Sequence, residues 1–267
     1  ENIYNSCSFA TILFIANLTL GLLSILFLNK KKRYRIFTCL MGLSWLILTF
    51  TLALRWIING TIPIANGYET MLLLSWLIMI VSILTTYKMQ LMTTFGLLMS
   101  GFMLLVSHLG EMDPSITPRM PVLNSPLLSI HVSIIMISYA LFSLTFICAI
   151  AYFLTYRSKK ANIIQTNKQL TTLSQIFLYP AITTLGLGIF IGAIWANISW
   201  GTYWGWDPKE TWALITLMVY AIVLHKQSLP TFRKPLNYHL YMIIAFLSIL
   251  MTYFGVNYVL GGMHSYA

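Results

Sequence analysis

Apolar runs long enough to cross a bilayer, about 20 residues each, recur along almost the whole of this 267-residue chain. No other feature restricts the fold so severely. Eight such runs are read, at about 8–28, 36–58, 69–87, 90–108, 130–156, 178–198, 209–228 and 239–260. Charged residues make up 8% of the chain, where a soluble domain carries roughly 25%. The sequence predicts an all-α polytopic membrane protein of about eight transmembrane helices, arranged as a single bundle over 1–267.

The net charge of +10 would suit a nucleic-acid partner, but its distribution points to a membrane. Lys30, Lys31, Lys32, Arg33 and Arg35 fall at the first connection and Lys88 at the third. Arg157, Lys159, Lys160 and Lys168 fall at the fifth, and Lys226, Arg233 and Lys234 at the seventh. These are 13 of the 16 basic residues, and the positive-inside rule makes their side cytoplasmic, or stromal in a plastid. Both termini are then outside. Arg55, Arg119 and Lys209 are the basic exceptions, and all six acidic residues lie on the outer side.

Cys7, Cys39 and Cys148 form no CxxC pair and read as small apolar residues in or beside helices. A chain that starts with Glu and shows no cleavable leader is expected to be a fragment or the processed part of something longer. Most connections are short. The outer ones at 109–129, rich in proline, and 199–208 are elaborated, and 157–177 is polar and expected to be partly helical. Work at the outer face is the natural expectation.

The second of those outer loops runs into SWGTYWGWDPKETW, residues 199–212, with four tryptophans and one tyrosine. Asp207, Pro208 and Glu210 read as a helix start: a capping acid, a proline in the first turn and a capping-box carboxylate. Gly201 and Gly205 let the backbone approach something flat or bulky. An interfacial aromatic belt would spread its rings over many helix ends. Here Trp195, Trp200, Trp204, Trp206 and Trp212 fall within eighteen residues, which suits a platform for a large planar apolar ligand.

Of five histidines, His131 and His264 flank this loop at the outer face. His225 follows Thr211 by fourteen residues, which places it roughly 20 Å deeper along a helix. It belongs to a second site or is structural. Two outer imidazoles beside a tryptophan-rich loop point to bis-histidine ligation of haem iron. Zinc would ask for three or four close ligands, and no HxxH, HExxH or CxxC spacing exists. His108 and His239, at helix ends without such company, read as interfacial residues.

The motifs together carry a resemblance. WGTYWGWDPKETWAL resembles the tryptophan-rich WWD signature of the haem-handling membrane proteins of cytochrome c maturation, of the CcsA (ResC) type, including the C-terminal half of fused CcsBA synthases. NSPLLSIHVSIIMISYA and GVNYVLGGMHSYA are similar to the segments bearing that family's two external histidines. RWIINGTIPIANGYETMLLLSW resembles a further stretch, with Thr61 where relatives often have histidine. The likeness runs from about Arg55 to Ala267.

It implies that His131 and His264 are axial ligands of haem b at the outer face. It also implies that His225 receives haem from the cytoplasmic side, its partner ligand coming from a CcsB component, fused or separate. The WWD loop 199–208, with Trp200, Tyr203, Trp204, Trp206 and Asp207, would hold the porphyrin. The implied reaction is holocytochrome c synthesis, in which the two thiols of a CxxCH segment of apocytochrome c add to the haem vinyls. No acid or base is needed from the chain, and capping accounts for Asp207 and Glu210. Thiol-reducing proteins are further implied partners, and the implied location is the bacterial cytoplasmic membrane or the thylakoid membrane. Two rivals stand beside this reading: a haem chaperone or exporter without ligation activity, and a secondary transporter, for which the inverted repeats are missing.

Overall fold

The structure is a computed structural model that describes residues 9–27, 31–60, 62–64, 66–87, 89–109, 125–158, 160–226 and 228–260. All regular structure among them is helical. Contacts within the chain gather into two compact units, Glu1–Asn124 and Ser125–Ala267.

The first unit comprises α1 (Phe9–Leu26), α2 (Lys31–Asn59), α3 (Gly67–Thr85) and α4 (Leu91–Leu109). Helices α1 and α3 both pack on α4, and α2 lies against α1 and α3. Lipid tails are as apolar as leucine, so close packing and interhelical hydrogen bonds must hold such helices together. Both are present. A Cβ on Gly21 would meet Leu98 at 2.7 Å, and one on Gly101 would meet Leu18 at 2.9 Å, so these glycines set the α1–α4 approach. Buried Asn17 donates to Ser100 at 3.1 Å and accepts from Ser44 at 2.6 Å, joining three helices. At the other end of α2, Arg55 pairs with Glu69 at 3.0 Å, both essentially inaccessible to solvent. Asn66 caps α3 by accepting from the Glu69 amide at 2.9 Å.

The second unit begins with α5 (Pro126–Thr155) and α6 (Ala161–Trp200), which pack along one another. Then come α7 (Pro208–Ala221), 3-10 turns at Ile222–His225 and Pro230–Arg233, and α8 (Pro235–Leu250), which continues as a π-helical stretch over Met251–Leu260. Ring stacking ties α5 to its neighbours: Phe142 lies 3.8 Å from Tyr220 of α7, and Phe146 lies 4.2 Å from Phe246 of α8. The polar stretch 157–177 is mostly the beginning of α6, which runs unbroken for 40 residues. Pro180 removes one backbone hydrogen bond within it without ending the helix.

Seven described helices are long and apolar enough to cross a membrane: α1 to α6, and α8 with its π-helical extension. The run expected at 209–228 forms the 14-residue α7 and then a 3-10 turn ending at His225. Its polar first turn and its tightened end leave α7 shorter than the other spans.

Candidate functional site

The aromatic loop lies between two helix ends of the second unit. Gly201 adopts a φ of 78° and donates its N–H to the Asn197 carbonyl at 2.9 Å, the left-handed cap that closes α6 and that glycine adopts without penalty. On the other side Asp207 caps α7, accepting from the Lys209 amide at 3.2 Å. Glu210 folds back so that one carboxylate oxygen accepts from the amides of Gly205 at 2.9 Å and Asp207 at 3.3 Å. This capping box is the one the sequence predicts, and Glu210 also fixes the loop ahead of it. Both carboxylates therefore hold backbone.

Between the two caps the rings separate into layers. Trp195, at 1% exposure, lies in the core with Trp200 edge-on to it at 4.8 Å. Trp200 and Trp204 are half-buried. Tyr203 and Trp206 stand out at 61% and 71% exposure, and Trp206 meets Trp204 at right angles, 5.9 Å between centroids. Trp206 has a φ of 56°, alone among the described non-glycine residues in having a positive φ. A bulky residue there costs roughly 1–2 kcal/mol. Strain of this kind persists where surrounding contacts impose it, and it gathers at ligand clamps.

His131 sits in the second turn of α5, half-buried against α6. Its Nδ1 donates to the Gly188 carbonyl at 2.7 Å. A carbonyl can only accept, so Nδ1 carries the proton, and in the neutral ring the lone pair is then on Nε2. The ring lies against Gly192, where a Cβ would come within 2.6 Å of Cε1 and 2.8 Å of Nδ1. Gly188 lends this socket its carbonyl and Gly192 its missing side chain, while a Cβ on Gly188 would meet Ile135 at 2.5 Å. From Gly192 to Trp200 is about 12 Å along α6, which puts the imidazole two turns below the loop.

His225 lies at the opposite end of this unit, exposed, with its carbonyl accepting from the amides of Ser228 at 2.9 Å and Leu229 at 3.0 Å. The structure thus brings His131 to the end that holds the aromatic loop and keeps His225 away from both. His264 lies outside the described residues. The π-helical stretch that leads towards it is fastened along α7: Lys209 donates to Asn257 at 2.8 Å, and Thr252 bonds Thr216 at 2.9 Å and the Trp212 carbonyl at 3.2 Å. Among the described residues, no three His, Cys, Asp or Glu side chains gather as a metal site.

Two features escaped the sequence reading. The socket is a Gly-x-x-x-Gly at 188–192, the small-residue spacing that marks close helix approach in membranes. His239 is a fully buried residue, stacked on Tyr152 at 4.2 Å and bonded through Nε2 to Thr171 at 3.0 Å. Its place on the buried stripe with Met242, Phe246 and Ile249 was the available signal.

The second unit thus joins long apolar helices, an aromatic loop and, two turns below that loop, a histidine seated against a glycine. Comparison with known proteins narrows this. The family model described as "Cytochrome C assembly protein" matches residues 64–264. Protein NrfI of Wolinella succinogenes is 37% identical over 254 residues, covering 93% of this chain, although the chain spans 28% of that relative's length. The cytochrome c biogenesis protein CcsA of Chlamydomonas reinhardtii is 34% identical, with 94% of this chain and 74% of that protein covered. That of Parasynechococcus marenigrum is 32% identical, with 89% and 88% covered. The chain belongs to the cytochrome c assembly family, as a multi-pass member of the CcsA type.

Proposed function

We propose that this chain holds haem b at the loop end of its second unit and presents it for covalent attachment to apocytochrome c. The observation that carries this reading is the His131 socket. A metal-binding histidine is typically fixed by donating its second nitrogen to a carbonyl, which sets tautomer and ring angle, and His131 does this to Gly188. The donor chemistry suits haem iron, which accepts neutral imidazole.

Trp200, Tyr203, Trp204 and Trp206 would bear on the porphyrin face, with the exposed rings of Tyr203 and Trp206 the first to be covered. Asp207 and Glu210 keep the loop in shape and take no part in proton transfer. His264 supplies the second axial nitrogen. In the attachment step each CxxCH thiol adds across one vinyl group: a C–S bond forms, the thiol hydrogen ends on the neighbouring carbon, and no oxidant is consumed. The substrate's histidine replaces one outer imidazole on iron. The chain contributes position and ligation.

Exposed His225, at the end carrying Arg157, Lys168, Lys226, Arg233 and Lys234, receives haem from the cytoplasmic or stromal side, with a CcsB component supplying the partner ligand. Thiol-reducing proteins keep the CxxCH cysteines available. The membrane is the bacterial cytoplasmic membrane or the thylakoid membrane, with the loop on the outer or lumenal face.

Co-expression of the chain, a CcsB component and an apocytochrome c tests the activity. Haem that stays bound to the cytochrome through denaturing electrophoresis is the expected result. Haem-loaded chain with no covalent product, from cells in which the apocytochrome accumulates, would leave a chaperone or exporter instead.

A further inference from the structure

At the end of the second unit remote from the tryptophan loop is a cavity of about 370 Å³ that haem handling leaves without a role. Three helices wall it: Tyr152 and Tyr156 close α5, Lys168 and Thr171 come from the first turns of α6, and Pro235 opens α8. Its lining offers phenols, hydroxyls and an ammonium, and contains no carboxylate, histidine, cysteine or methionine. Such a lining suits an oxyanion and does not suit a metal cation or haem iron.

The walls are held from behind. Tyr152 stacks on the buried His239 ring at 4.2 Å, and Thr171 is tied to Nε2 of the same ring at 3.0 Å. Arg157 donates to the Tyr156 hydroxyl oxygen at 2.9 Å, which directs that hydroxyl's own proton to another acceptor. Charge is arranged to match. Arg157, Lys160, Lys168, Lys226, Arg233 and Lys234 all lie at this end of the unit, whereas Asp207 and Glu210 lie at the other.

The rim separates a lipid from a soluble anion. Phe153, exposed, tilts against Tyr156 at 5.6 Å. Exposed Ile164 is part of the wall itself. Apolar surface thus runs up to the mouth of a basic pocket between membrane helices, the arrangement that captures acidic lipid headgroups. We propose that this cavity binds the phosphate-bearing headgroup of an anionic phospholipid, with the acyl chains along Phe153 and Ile164.

The test is thermal unfolding of the purified chain in neutral detergent, with dioleoyl phosphatidylglycerol, dioleoyl phosphatidylcholine or inorganic phosphate added. Phosphatidylglycerol should raise the melting temperature saturably, as a ligand of the folded state does, and phosphatidylcholine should not. Lys168→Glu, at an exposed position, should weaken the response on the order of 10-fold while leaving the melt in phosphatidylcholine unchanged. Ser158→Asp at the rim is the second variant, should the first alter the basal melt, and is expected to weaken the response likewise. Equal stabilisation by both lipids, or an unchanged response in the variants, would overturn the proposal. The same increment from millimolar phosphate would assign the cavity to a soluble anion and overturn the lipid.

Discussion

His131 donates its Nδ1 proton to the Gly188 carbonyl at 2.7 Å, across the α5–α6 interface. One bond thereby sets the tautomer, the ring plane and the depth of the candidate ligand, and the glycine four residues further along α6 makes room for the ring. Gly192→Ala would place a methyl carbon only 2.6–3.2 Å from three atoms of the imidazole. Helix propensity favours alanine by about 1 kcal/mol, so the helix itself should not suffer. Haem affinity is expected to fall by about 10–100-fold, the range for loss of an orienting contact. Haem titration of the apoprotein, set beside its thermal melt, checks both halves.

Glu210 answers for the loop rather than for chemistry. Glu210→Ala leaves the Gly205 and Asp207 amides without their acceptor and should cost about 1 kcal/mol. Glu210→Gln keeps a carbonyl oxygen and should retain most of the stability and all of the attachment activity. Melting curves and covalent haem yield measure the two. A glutamine variant as inactive as the alanine variant would mean that the acid itself takes part.

The strain at Trp206 is separable from its ring. Trp206→Gly removes a positive-φ penalty of roughly 1–2 kcal/mol and an edge contact to Trp204 worth roughly 0.5–1.5 kcal/mol. The two nearly cancel, so the melt should hardly move while haem binds more weakly. Tryptophan fluorescence melts and haem titration together read the outcome. A large loss of stability would make the ring a structural part of the loop.

In the first unit the Arg55–Glu69 pair is wholly buried. Removing one partner strands a charge, and Arg55→Met should cost about 3–5 kcal/mol. The double variant Arg55→Met, Glu69→Leu should regain most of that. A double-mutant cycle by thermal melts settles it, and additive losses would show that the pair is not coupled.

The sequence made the helices legible because twenty-residue apolar runs have few other outcomes in a membrane. The capping box at Asp207 and Glu210 was legible too, since its spacing is local. Less visible was where helices stop at their polar ends: α6 extends back to Ala161, because continuing a helix costs little once it is nucleated. The glycine socket of His131 depends on which faces of α5 and α6 meet, and residue order does not state that. His239 was misjudged for the same reason. A histidine one turn from a helix end reads as interfacial until its neighbours Tyr152 and Thr171, from two other helices, are in place.

Absorption spectra of the detergent-purified chain decide whether His131 is an iron ligand in its socket. They should be recorded oxidised and reduced, with the CcsB component present, for the parent, His131→Ala and His264→Ala. Six-coordinate bis-histidine haem is expected in the parent, and weakened or five-coordinate haem in each variant. A parent that purifies intact but free of haem from haem-supplied cells, or a His131→Ala variant with the parent's spectrum, would contradict it.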